Sequence, residues 1–436
     1  MLTDFTENKI LDAIFGRRTW SGKPTTLFLS AMTSIPSDTG GGTEVVGNGH
    51  SRRSVACNSS NWTFDAAQSA LVNDNDISWS VATASWGLVT AIGVYSAATG
   101  GTLIAYFALD TPIQIEQFFV LKINAGELRL SLTGALSDAQ AQRILEYLFM
   151  GSALPVVTNF HVGLGTGIGD KYLTGEIDVF GYERIPIANS QGNWPVATAG
   201  TKFSANTHLS PVALINNWGA ATHMALFDAK GILKVETFST DDSFTTETAH
   251  GFAAGDAVLF MAGTHPTFSG TVLTNNAVCF VKSVLSSTKV TLSPTLGGTV
   301  ANVNAAALAN SGNAIRLYPM DATTIAVASI SFADQVNAVA HGLVNGDRVH
   351  FTASVAPTGL TALDRLWVVN ATADVFQLSA IEDGAPISIS TGGTSLVFRR
   401  FKRGTMLFFG QLENSLAISV GDDAQLTAGS LEITLD

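Results

Sequence analysis

Charge is scarce in this sequence. Only 13% of its residues are Asp, Glu, Lys or Arg, about half the share usual in soluble domains. Yet 46% are apolar, which excludes a disordered chain, because disorder needs too little apolar surface to support a core. Basic residues are the scarcest: 23 Lys and Arg stand against 35 Asp and Glu, for a net charge of −12. No positive field exists to hold a nucleic-acid backbone or an anionic membrane. Cysteine is nearly absent. Cys57 and Cys279 fall in different units of the repeat pattern below, so a disulfide framework is excluded and two free buried thiols are expected. Met1 to Trp20 places acidic residues ahead of its apolar stretch and lacks the charged, apolar and small-residue regions of a secretory signal. Against these absences stand 41 glycines and an abundance of Ala, Thr, Ser and Val, which favours β structure with many tight turns. A length of 436 residues allows two to four domains.

Trp86 to Leu109 carries no charge over 24 residues, long enough to cross a bilayer. Its interior reads otherwise. Two β-branched and aromatic stretches, 88–95 and 103–109, flank Ser96 to Gly101, which predicts a hairpin in place of a membrane helix.

The chain repeats itself. Ser85 to Ala97 aligns with Asn217 to Ala229, sharing Trp-Gly, Thr and a closing aromatic-x-Ala; Asn61-Trp62 aligns with Asn193-Trp194, and Lys9 to Gly16 resembles Arg143 to Phe149. Downstream, Gly101 to Leu109 matches Gly404 to Leu412, and Ile123 to Leu132 matches Leu426 to Leu435. The second copy is therefore interrupted at a hairpin tip, where insertion breaks no buried backbone pairing. The insert is itself duplicated, Thr248 to Phe260 recurring as Val339 to Phe351, each unit carrying His-Gly and Gly-Asp and later a Gly-Gly-Thr turn at Gly297 or Gly392. The expected fold is mainly β. Two homologous β-sandwich-like modules each carry a short N-terminal helix, about 4–15 and 137–149, and the second is broken by two small β modules. The divisions are 1–135; 136–229 with 403–436; 230–315; and 316–402. Ser137, with Gln140 three residues on, is a fitting N-cap and Gly151 a fitting terminator.

Groups able to do chemistry are few. The histidines are His50, His161, His208, His223, His250, His265, His341 and His350, with no metal-binding spacing and no nucleophile motif around them. Only His250 and His341 occupy matched positions. With Gly251 and Asp256, and with Gly342 and Asp347, they read as turn chemistry between short strands. Gly163 to Gly169 has the glycines of a phosphate loop but no P-loop lysine and no following helix pattern. It is expected to be an exposed connection after a strand, as is its counterpart Ser37 to Thr43. Asn73 to Asp76 gathers carboxylates and amides without the spaced ligand series of a calcium loop, so a solvated turn is expected. Trp62, Trp86, Trp194 and Trp218 recur between copies. Aromatic platforms bind sugars, but shared tryptophans at strand starts read as core anchors. No catalytic, metal or cofactor site is nominated.

The large unit, with its Asn-Trp, Trp-Gly-x-x-Thr, Gly-Gly-x-Leu and terminal Ala-Gly-x-Leu elements, resembles a family of tailed-bacteriophage virion proteins described as tail fibre proteins, related modules of which also decorate phage heads. Copy two matches closely; copy one departs, with Ser96 for the Asp and a degenerate end, which suggests a different contact. The insert resembles His-Gly-Phe/Leu-x-x-Gly-Asp-x-Val-x-Phe repeats of phage fibre and structural proteins. The resemblance implies a non-enzymatic virion component, tail fibre or baseplate-associated, on the particle exterior after assembly in host cytoplasm. Its implied partners are other tail, baseplate or major capsid proteins, further copies of itself in a homo-oligomer such as a trimer, and a host-surface glycan. A head decoration or cement protein is the alternative, and a glycan-degrading tail enzyme a minor one.

Overall fold

The computed structural model describes the chain except residues 133, 170–171, 180–181, 211–216, 240, 247–248, 264–267, 305–314, 332–333, 361–364, 390–394 and 436. His265 and the expected turn at Gly392 lie outside the described residues. The protein is mainly β, with two short helices, and no helix among the described residues is long and apolar enough to cross a membrane. The uncharged run forms the hairpin of Gly87–Tyr95 and Leu103–Ile115.

Two sheets carry the same strand order. In the first, Arg53–Ala56 pairs with Thr26–Ser34, which pairs with Gly87–Tyr95 and through it with Leu103–Ile115. In the second, Ile185–Ala188, Asn159–Gly165, Gly219–Phe227 and Met406–Ile418 follow in that order. The register matches as well. Gly87 faces Ile115 as Gly219 faces Ile418, and the ladder slips between Val89 and Ala91 as it does between Ala221 and His223. A bulge inserts an extra residue and bends its strand, so a shared bulge position means a shared curvature.

The helices tie these sheets together. α1, Asp4–Ile14, lies against Leu103–Ile115 of its own sheet and against Thr201–Phe203 from the other half. α2, Asp138–Leu145, does the reverse, packing on Met406–Ile418 and on Ala70–Asn73. Ser137 caps α2 through the Gln140 N–H and donates its own hydroxyl to the Met406 carbonyl at 2.5 Å. The last turn widens into a π-helix, Glu146–Met150, where a continuous α-helix was expected, and Gly151 ends it in the left-handed conformation.

This exchange merges two expected cores into one. Trp62 contacts Phe149 at 5.1 Å, and Trp194 contacts Phe15 at 4.6 Å, so each tryptophan packs on the aromatic that ends the other half's helix. Lys202, buried where copy one has Leu71, reaches across to Asp12 of α1 at 2.6 Å. A single apolar cluster runs through both halves. The division at 135 therefore separates stretches of sequence that share an interior.

The insert forms a closed barrel (barrel one) and a seven-stranded sheet of the same strand order (barrel two). Leu233–Phe238, Ser243–Thr246, Lys289–Ser293, Ala277–Val284, Ala257–Ala262 and Ile315–Met320 close a six-stranded ring. Ile315–Met320 completes that ring, so the break between barrels follows Met320 and not residue 315. The second unit repeats the order with its first strand split into Ile325–Ala326 and Ser329–Ile330, which leaves a seven-piece sheet. Each barrel has its own apolar core, and Ala257, Leu259, Tyr318, Met320 and Phe401 form a small cluster between them.

Candidate functional site

The residues singled out from sequence are placed as follows. Trp62 and Trp194 are fully buried and Trp86 and Trp218 nearly so; the Trp86 indole donates to the Asn48 carbonyl at 2.9 Å. None offers an open ring face to a sugar. In the repeat turns, His250 Nδ1 accepts from the Phe252 N–H at 2.8 Å and Asp256 from the Ala253 N–H at 2.8 Å. His341 and Asp347 make the same bonds to Leu343 and Val344. Gly251 and Gly342 sit at φ +68° and +66°, a left-handed backbone that glycine adopts without strain.

Asn73 to Asp76 is consumed by local pairing: Asp74 accepts from Thr63, Asp76 pairs with Lys122, and Asn73 holds the Asn124 carbonyl and the Leu128 N–H. Among the described residues no three His, Cys, Asp or Glu converge to hold a metal. Gly163 and Gly165 are not in a loop, as was expected, but inside Asn159–Gly165. Their missing side chains make room for Leu173 and Glu176, whose atoms lie under 3 Å from where a Cβ would stand.

The most structured polar site lies where the insert meets the body. The segment after Asn159–Gly165 folds as a hairpin, Gly167–Ile168 with Leu173–Thr174, and carries Glu176 and Asp178 to the barrels. Asp178 accepts from Arg316 at 2.6 Å, Arg365 at 2.7 Å, Arg348 at 3.0 Å and the Tyr318 hydroxyl at 2.7 Å. Arg316 and Tyr318 alternate outward on the last strand of barrel one, while Arg348 and Arg365 come from barrel two. One carboxylate thus binds both barrels. Burial alone would raise its pKa, but the three guanidinium groups more than offset this and hold it well below the usual carboxylate range.

Glu176 makes a bidentate pair with Arg184, at 2.6 and 2.8 Å, and accepts at 2.9 Å from Arg403, in the segment that leads back into Met406–Ile418. Arg403 also reaches Glu382, whose carboxyl burial pushes up to about 7. That group favours the folded state when protonated, so its contribution is complete below about pH 4.5 and is lost as pH rises to about 7. Beside this cluster open two clefts of about 400 and 380 Å³, the first lined by Tyr172, Arg348, Arg400 and Arg403 and the second by His161, Lys230 and His250. Asp178 and Glu176, whose pKa values the arginines hold below the usual range against the effect of burial, are poor general acids and bases at neutral pH, because neither is near balance between its two protonation states.

His161 stands on the body where copy one has Phe28, in the same pairing register, against Phe227 and Tyr95 respectively. Burial first, then the charges of Arg184 and Lys230, push its pKa down to about 3. Its lowered value means that stability is lost as pH falls from about 6.5 towards 3, at about 1.4 kcal/mol per pH unit. His161→Phe is expected to leave stability near pH 8 within about 1 kcal/mol and to raise it by about 2 kcal/mol at pH 5. Urea unfolding at the two pH values measures the difference, and equal changes at both would contradict it.

The tryptophan pairs and repeat turns were visible as recurring motifs. The arginine cluster was not, because Asp178 and its partners are scattered over the chain and only the strand order of both barrels brings them together. No curated protein matches the chain. Residues 1–131 match the family model described as Podophage GP4 fiber I protein gp80, and this similarity, which spans the first copy, supports a phage structural protein of the fibre type.

Proposed function

We propose that the chain is a non-enzymatic structural component of a tailed-phage particle, fibre or baseplate-associated. In this reading the fused body, 1–229 with 403–436, docks on the particle, and the barrel pair is carried outward at the hairpin tip to meet a host-surface glycan. The observation that carries it is the similarity of residues 1–131 to a fibre protein family. Two features support the arrangement. The insert enters and leaves beside the Gly404 turn, at the end of the Gly219–Phe227 and Met406–Ile418 hairpin. It is also tied to the body by the Asp178 pairs and by the pair of Glu382 with Arg403.

Quantitative mass spectrometry of purified particles tests the reading. A fibre component is expected in tens of copies per particle. Hundreds of copies would assign the chain to the head as a decoration or cement protein, and absence from particles would overturn the virion reading. Incubation with host polysaccharide is expected to leave polymer length unchanged; shortening would make the protein an enzyme.

A further inference from the structure

The duplicated body contains an internal control. After Leu103–Ile115 the first copy turns through Glu116, Gln117, Phe118 and Phe119, and after Met406–Ile418 the second turns through Ser419, Val420, Gly421 and Asp422. The turns are closed by the same bond, Phe119 N–H to Glu116 carbonyl at 3.1 Å and Asp422 N–H to Ser419 carbonyl at 3.0 Å. Buried Ile115 and Leu121 flank one, buried Ile418 and Ala424 the other. The third turn position is left-handed in both, φ 70° at Phe118 and 98° at Gly421. Glycine is the ordinary occupant of that position, and a bulky side chain there is strained. Copy two therefore shows what the fold asks for: a glycine followed by two aspartates. Copy one instead holds Phe118, Phe119 and Val120, which are 77%, 58% and 46% exposed.

The tip is also firmly held. Phe118 N–H donates to the Ala82 carbonyl at 2.8 Å, Ala82 N–H to the Phe119 carbonyl at 2.9 Å, and the Gln117 amide to the Thr83 carbonyl at 2.9 Å. Val81, half exposed, extends the apolar surface.

We propose that this tip docks in a concave apolar pocket of a different protein in the particle, an inference that rests on the virion reading above. Its size selects the occupant. Phe118, Phe119, Val120 and Val81 expose roughly 400 Å², about half of what each partner contributes to a stable interface between two proteins. Two convex tips meeting head to head bury only a fraction of even this surface, whereas a pocket can cover nearly all of it. The neighbouring sheet edge does not add to it, since Asp110 and Pro112 stand on the exposed part of Leu103–Ile115 and blunt strand pairing. A small rigid apolar projection buries most of its surface only in a pocket.

The test uses phage particles assembled with the triple variant Phe118→Gly, Phe119→Asp, Val120→Asp, which gives copy one the turn of copy two. Its melting temperature is expected to equal or exceed that of the native chain, and its amount per particle to fall at least tenfold. Phe119→Asp alone, away from the left-handed position, is expected to give the same loss. A photo-crosslinking p-benzoylphenylalanine at position 119 is expected to join to a different particle protein. Undiminished incorporation, or crosslinks only to a second copy or to lipid, would overturn the proposal while leaving the virion reading intact. Absence of the native chain from purified particles would overturn both.

Discussion

Asp178→Ala is expected to lower stability by about 3–5 kcal/mol, because removing one partner of a buried ion pair strands the others without compensation. Here three guanidinium groups and the Tyr318 hydroxyl lose their common acceptor. Asp178→Asn keeps the shape but removes the charge, and is expected to cost nearly as much. The loss should be concentrated at the junction. Calorimetry is expected to resolve a separate, lower transition for the barrel pair, whose cores are distinct from that of the body. In the native chain the same effect should appear only in acid. The lowered pKa of Asp178 makes its contribution complete above about pH 4 and lost as pH falls further through the folded value. A variant that melts as one transition at the native temperature would show that the arginines are held by other means.

The second large effect concerns the exchanged aromatics. Trp194→Ala removes a fully buried side chain that touches Phe15 at 4.6 Å and Phe160 at 5.8 Å. Truncations of this kind typically cost about 3–5 kcal/mol through lost transfer energy and the cavity left behind. Trp62→Ala, against Phe149, is expected to cost a similar amount. The distinctive outcome is the pattern: because each tryptophan belongs to one copy and its aromatic partner to the other, either change should lower the melting of both copies together. Hydrogen exchange at Phe28–Met32 and at Phe160–Leu164 reports on the two sheets separately. Protection lost in one sheet alone, after either substitution, would mean that the copies hold independent cores.

Much of the architecture was legible in particular residues. The Ser96 to Gly101 turn between two β runs announced the hairpin. The displaced match of Gly404 to Leu412 and the recurrence of His-Gly with Gly-Asp could be read from the residues alone. The turn bonds of His250 and His341 follow from the same local pattern. Other features left weaker traces. The shared bulges change no residue type, so spacing within each copy hides them. Lys202 takes the place of Leu71 only in the strand pairing, because counting from the two tryptophans sets Ala70 opposite it. Nothing in its neighbourhood named Asp12.

What the sequence determined by itself is local and repetitive: strand periodicity, turn chemistry and the recurrence of short motifs along the chain. These depend on residues close in the chain or on copies that can be compared with each other. Tertiary structure alone decided which half covers which helix, that two copies share one core, and that a single aspartate anchors both barrels. An apolar face records that it must be buried but not against which partner, and a charge pair between distant segments exists only once the strands between them have been ordered in space.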